Sequence, residues 1–367
     1  MSMQSKPSVA AGARTAHRRA PARVTAHHGP MTALMFTPDN ALAGGLILGS
    51  MTIAKKLNTG TNLGISGETK AAMRGEAKAS TAAFLLGLFA AGYVAPMILG
   101  AQVATPMVEA PRAIIAGALV GLGTSVGCGC TSGHGISGIG RFNIRSMLFT
   151  CIFMIVGAAT VAATGTLDEL HVSQATKTIS NLARAPEVNM VLYSKVFAAG
   201  VAIQGALYAL AKAQGGGVTS LVEKLSVVSD HVSGLFFGLG LVISGMTNPA
   251  KVAGFLAVTS QAFDPSLAFV MGGALSLVVA TTYVARGILK IQRPAMAREF
   301  KTSAKYIDND LIIGAVLFGA GWGLAGVCPG PGLVSLVMNS GREITLWCLS
   351  FLLAQRLHLQ FAGECAI

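Results

Sequence analysis

Hydrophobic positions run along this chain without the charged punctuation of water-facing helices. Five windows, 79–108, 113–140, 146–167, 265–285 and 311–341, contain no Asp, Glu, Lys or Arg. Each exceeds the ~20 residues that a helix needs to cross the hydrocarbon of a bilayer. Shorter apolar stretches follow at 41–54, 196–211, 231–250 and 344–355. The pattern predicts an all-α polytopic membrane protein of eight to ten segments. Some are too short, or too interrupted by Gly and Pro, to be simple spans, so broken or re-entrant helices in two pseudo-symmetric halves are expected.

Composition supports that class. Only 11% of the 367 residues are charged, against 52% hydrophobic, and a soluble surface could not be covered by so few charges. The formal net charge of +12 is concentrated. Residues 1–38 carry Lys6, Arg14, Arg18, Arg19 and Arg23 before any acid, a basic segment that reads equally as a disordered tail or an organelle transit segment. The other basic clusters lie at 55–78 and 286–305, and six spans between them would place both on one face. The expected location is therefore the plasma membrane, or an organelle inner membrane if the N-terminal segment is a transit peptide.

Residues 127–138 read GCGCTSGHGISG, two cysteines, one histidine and five glycines inside an apolar window. Laid over the stretch ending at Cys328, Gly121 matches Gly319, Gly123 matches Gly321 and Cys130 matches Cys328, all at an offset of 198. A third copy has Gly238, Gly240, Gly245 and then Thr247 at the cysteine step, with Asn248-Pro249 following as Pro329 follows Cys328. A weaker fourth relative runs from Gly45 and Gly49 to Gly64 and Gly67. In each strong copy an apolar helix of about fifteen residues, rising ~22 Å, ends at a Cys or Thr and is followed by helix-breaking sequence. Such a helix stops inside the membrane, where irregular backbone is tolerated only if buried or lining a cavity. Repeated discontinuous helices point to a substrate site near the midplane of a transporter. The expected division is 1–38 basic segment, 39–213 first half, 214–230 linker, 231–355 second half and 356–367 tail.

GCTSGHGISG at 129–138 with Arg141 resembles the signature of the YeeE/YedE family of sulfur-compound transporters. FGLGLVISGMTNPAKVAGFL at 237–256 and FGAGWGLAGVCPGP at 318–331 resemble its short partner-type subunit, so the chain looks like two such units joined. The resemblance covers about residues 40–340. It implies import of thiosulfate or a related sulfur species past membrane-centre cysteines, here Cys130 and Cys328. The substrate pathway expected from motif and repeat together comprises Cys130, Cys328, Thr131, Ser132, His134, Thr247 and Cys128. Family members with three functional cysteines have one in the first element, where this chain has none. The end departs too: GREITLWCLSFLLAQRLHLQ stands where a small-residue, Gly-containing helix was expected.

The chemistry is coherent. Backbone N–H groups at helix N-termini suit the oxygens of a sulfur anion, and a neutral thiol, a weak donor, can meet its soft terminal sulfur without holding it too long. Apolar surroundings keep a thiol neutral. His134 reads equally as a site residue or a structural one. Arg141 and Lys251 either attract anions or snorkel to the interface. Cys151 and Cys348 read as small buried apolar residues.

Two alternatives stay open: a membrane thiol-redox or persulfide-handling protein or sensor, built on Cys128 and Cys130, and a metal-binding scaffold using Cys128, Cys130, His134 and Cys328. No Ser-His-Asp set, phosphate-binding loop or carboxylate pair occupies the apolar windows. The expectation is thus a transporter with no enzyme activity, cofactor, metal or nucleic acid. Its partners are the lipid bilayer, an inorganic sulfur anion and a soluble sulfur-carrier or rhodanese-like protein.

Overall fold

A computed structural model describes residues 36–99, 107–172, 189–215, 219–302 and 306–361. Nearly all of the basic N-terminal segment, and Cys365 in the tail, lie outside the described residues. The described part is mostly helical and is a polytopic membrane protein. Six of its helical stretches are long and apolar enough to cross a bilayer, and a pair bent by 48° makes a seventh.

Four helices end in the same way. α1 (Pro38–Thr59) stops at Gly60, α4 (Ala110–Val126) at Gly127-Cys128, α8 (Ser220–Ile243) at Ser244-Gly245 and α11 (Asn309–Ala325) at Gly326. Each break contains one left-handed residue: Gly60 (φ 73°), Cys128 (φ 61°), Gly245 (φ 75°) and Gly326 (φ 69°). Glycine adopts that conformation at little cost and stops a helix there. Cys128 is the one of the four with a side chain. A few residues later the chain turns helical again, in α2 (Ile65–Arg74), a π-helical segment (Thr131–Gly138), α9 (Pro249–Leu256) and α12 (Pro329–Asn339). Their N-caps are Gly64, Cys130, Asn248 and Cys328. Proline at the first position of α9 and α12 fits a helix start, where its missing N–H goes unused. The fourth relative of the repeat is therefore the break at 60–64, as long as that at 244–248 and longer than the other two.

After each half-helix comes a closing helix: α3 (Ala79–Leu99), α5 (Ile144–Thr164), α10 (Ser266–Tyr283) and α13 (Arg342–Phe361). These are exchanged between halves. α1 packs along α10 and α8 along α3, while α4 packs along α13 and α11 along α5. Between lipid-embedded helices there is little hydrophobic drive, so close van der Waals approach decides the pairing. On α3 and α8, a Cβ at Gly87 or Gly234 would run into the backbone of His231 or Phe84.

The halves are inverted. Gly44 of α1 faces Gly240 and Ser244, while Leu48 faces Gly240, so α1 and α8 run antiparallel. Gly123 faces Gly314 and Phe318, and Gly321 faces Ala116, so α4 and α11 do too. The added crossing is α7 (Met190–Ala213), which lies outside α1 and α8. It is fastened by Gln204, whose Oε1 accepts from Asn58 Nδ2 at 2.7 Å and Ser229 Oγ at 2.8 Å.

Two expectations change in detail. The 214–230 stretch read as a linker is helical from Ser220, with Ser229 and Asp230 buried. The C-terminal sequence forms a full twenty-residue helix, α13. Gly117 and Gly121 of α4 let the α13 backbone approach closely at the carbonyls of Trp347 and Phe351, while the Trp347 ring lies over Gly332 of α12.

Candidate functional site

The four breaks meet at the centre. Ile65 N, at the start of α2, donates to Ser132 Oγ at 3.2 Å. Gly330, in the first turn of α12, lies against Ile65 and Leu241, and Gly326 lies against Pro249 of α9. The N-termini of the half-helices thus converge, and their partial positive charges and first-turn N–H groups converge with them. No side chain caps the starts at Gly64, Cys130 or Cys328.

A cavity of about 140 Å³ opens at this point, room for roughly four waters at ~30 Å³ each. It is lined by residues from all four breaks: Ile65, Cys130 with Thr131 and Ser132, Met246, and Gly330 with Pro331. Among the described residues no carboxylate lines it. Two donors in its wall, Trp322 Nε1 and Thr150 Oγ1, are buried and have no hydrogen-bond partner among the described residues. A wall of apolar groups, one thiol and orphaned donors suits a small anion better than a cation or a neutral hydrocarbon.

Cys130 and Cys328 are both free and buried. Cys130 Sγ lies 3.1 Å from Ser132 Oγ, and the Thr131 hydroxyl is within hydrogen-bonding reach of Cys328. The expected approach of the two cysteines is present, with Thr131 between them. Cys328 stands behind the wall: Val327 on one side of it lines a second, small cavity of about 10 Å³, while Gly330 on the other lines the central one. Thr247 belongs to the small cavity. Met246 and Pro331 border both cavities and form the partition between them.

His134 takes a different place. Its Nε2 faces Gly127 O at 3.2 Å, and since a carbonyl only accepts, the ring proton sits on Nε2. Nδ1 then accepts from Ser146 Oγ at 3.0 Å. The ring stacks on Phe149 with centroids 4.2 Å apart and folds over Gly129, where any Cβ would strike it. Both nitrogens are used inside the protein, and His134 lines neither cavity. It fixes the π-helical segment to α5, which accounts for the glycines around it.

Cys128 sits on the left-handed turn and lines neither cavity. The Cys128–Cys130 redox pairing is not made, because Cys130 is free. Among the described residues no group of three His, Cys, Asp or Glu could hold a metal ion. Cys348 is buried as expected and donates to Gly332 O at 3.4 Å, whereas Cys151 is exposed on α5, contrary to the buried reading. Lys251 is buried and joined to Thr37 Oγ1 at 2.6 Å and Asp264 at 3.2 Å, away from the central cavity. Sequence reasoning missed Met246, Trp322 and Thr150. For Met246 a signal existed, since it directly precedes the repeat position Thr247.

Comparison with known proteins adds a class. Residues 225–361 match DUF6691, described as a family of unknown function. A protein of Xylella fastidiosa strain Temecula1 named "Probable transporter" is 42% identical over 113 residues, 30% of this chain and 74% of its own length. Another of the same strain and name is 39% identical over 125 residues, 34% of this chain and 93% of its own length.

Proposed function

This chain belongs to the family of those probable transporters, and from that premise we propose that it carries a small inorganic sulfur anion, thiosulfate foremost, past Cys130 and Cys328. The observation that carries the reading is the placement of these two free thiols. Each is the N-cap of a half-helix, one from each inverted half; Cys130 lines the central cavity, and Cys328 stands behind its wall within reach of the Thr131 hydroxyl. Half-helix N-termini offer N–H groups to the oxygens of such an anion. The Cys130 thiol, Trp322 N–H and Thr150 hydroxyl offer weak donors to its remaining atoms. Among the described residues no fixed cation lines the cavity, so an anion that enters is free to leave.

In this reading the chain is two YeeE-like units in tandem, the first spanning 39–213 and the second running to 355. The second begins at α8, eleven residues before the 231 boundary suggested by sequence. The basic clusters at 55–78 and 286–305 mark the cytoplasmic or matrix face.

Uptake of radiolabelled thiosulfate into proteoliposomes tests the proposal. Wild-type protein is expected to accumulate label, and Cys130→Ala to lose nearly all uptake while purifying normally. Removing one sulfur from a small, Gly-rich setting costs little packing. Undiminished uptake by Cys130→Ala would refute the role of the thiol, and absence of uptake by the wild type would refute the substrate.

A further inference from the structure

A third cavity continues the line of the first two. It holds about 50 Å³ and is lined by Arg141, Lys56, Ser137, Thr52, Thr281 and Thr282. On α1, Leu48 borders the central cavity and Thr52, one turn on, borders this one. On the π-helical segment Ile136 and Ser137 divide in the same way, and on α10 Met271 and Thr281 do. The small cavity at Thr247, the central cavity and this pocket are therefore stacked in that order, with the pocket at the basic end of α1.

We propose that this pocket is a binding subsite for a small inorganic oxyanion, with the Arg141 guanidinium and the Ser137 hydroxyl as its recognition groups. Its place as the mouth of a pathway rests on the transport reading above; its chemistry does not. Arg141 is braced so that its planar head is fixed: Nε donates to Ser137 O at 2.7 Å and Nη1 to Asn62 Oδ1 at 2.7 Å. A guanidinium held in one plane keeps its permanent charge at a fixed place on the pocket wall, where an oxyanion can meet it. Lys56 Nζ donates to Gly60 O at 3.1 Å and Lys301 O at 2.6 Å, which holds a second positive charge at the rim. Ser137 is only 4% exposed, yet among the described residues its hydroxyl has no partner, and neither do those of Thr281 and Thr282. These hydroxyls line the pocket, where an anion would supply an acceptor for them. Thr52 differs, since it donates its proton to Leu48 O at 2.8 Å. Among the described residues no carboxylate lines the pocket to compete for the cations.

The pocket is also roofed. An irregular strap at 291–301 crosses the end of α1, with Ala295 N donating to Leu57 O at 2.9 Å, Met296 N to Asn58 O at 2.8 Å and Lys301 N to Gly60 O at 2.9 Å. Phe300 of this strap lines the pocket beneath the Lys56 ammonium. A lipid phosphate offers the same chemistry as a free oxyanion. The small volume and the roof favour the free anion.

The experiment places a reporter thiol in the pocket, Ser137→Cys in a Cys151→Ser background, with the full chain in neutral-lipid nanodiscs. Labelling by anionic and cationic methanethiosulfonates is followed by peptide mass. Relative to a free thiol, the anionic reagent is expected to react about tenfold faster, the low end of what a focused field achieves. Millimolar sulfate or thiosulfate should slow it severalfold, and adding Arg141→Gln should abolish both the preference and the protection. Should Ser137→Cys fail to fold, Thr281→Cys reports from the opposite wall with the same expectation. No charge preference, a preference indifferent to Arg141, or protection by anionic lipid alone would each overturn the subsite. Wild-type vesicles that take up no thiosulfate, with preference and sulfate protection intact, would refute the substrate reading and leave the subsite standing.

Discussion

Lys55 Nζ lies 2.7 Å from Asp230 Oδ1, with side chains 2% and 4% exposed, although the two residues are 175 positions apart. Glu68 of α2 joins the same ammonium at 3.0 Å and accepts from Thr81 of α3 at 2.8 Å. One cation thus holds the half-helix α2 to α1, α3 and α8, next to the break at 60–64. Burying charges is costly, and removing one member of such a set leaves the others uncompensated.

Lys55→Met is therefore expected to destabilise the protein by ~3–5 kcal/mol, the usual cost of breaking a buried pair from one side. Asp230→Asn should cost less, because Glu68 still faces the ammonium. Thermal unfolding in detergent, followed by tryptophan fluorescence, ranks the two. Equal loss from both would mean that Glu68 contributes nothing.

Met246 borders both the central and the small cavity. A thioether on three rotatable bonds can swing aside and contact soft sulfur. Met246→Leu conserves volume and should cost under ~1.5 kcal/mol in stability. It is expected to preserve flux while lowering the preference for thiosulfate over sulfate by about fivefold, one contact of ~1 kcal/mol. Met246→Ala should merge the cavities and raise the flux of both anions. Competition uptake on the two variants reads this directly, and unaltered flux and preference in both would remove Met246 from the pathway.

Cys151 and Cys348 should separate under substitution. Cys151 is exposed on α5, so Cys151→Ala is expected to change stability by less than ~0.5 kcal/mol. Cys348 fills the seam between α12 and α13 and donates to Gly332 O. Its loss leaves a small void and removes a weak second hydrogen bond to a helical carbonyl, for ~1 kcal/mol. Thiosulfate uptake should be normal in both once protein levels are matched.

What could be read from sequence was local. Glycine, proline and cysteine announce a helix break within a few residues, so the breaks at Cys130 and Cys328 were visible, as was their kinship. The ion set at Lys55 was not, since only the exchange of α3 and α8 between halves brings Asp230 to it. The role of His134 was hidden for the same reason: it depends on Phe149 and Ser146, which arrive from the next helix. Thr247 shows the limit of a register drawn by matching glycines. One residue separates Gly326 from the N-cap Cys328, but two separate Gly245 from Asn248. The extra residue moves Met246, rather than Thr247, to the wall of the central cavity.

α7 carries a consequence for how the chain is made. Each half crosses the bilayer an even number of times, so a second half threaded straight onto the first would enter the same way up. Cys130 and Cys328 would then sit at matching depths on half-helices pointing in one direction, and their N-termini would never face. The single crossing of α7 turns the rest of the chain over. A nascent polypeptide that let α7 slip past the insertion machinery would leave α8 to α13 upside down, its basic strap on the far face. α7 touches neither sulfur, yet its apolarity decides whether the two sulfurs can meet.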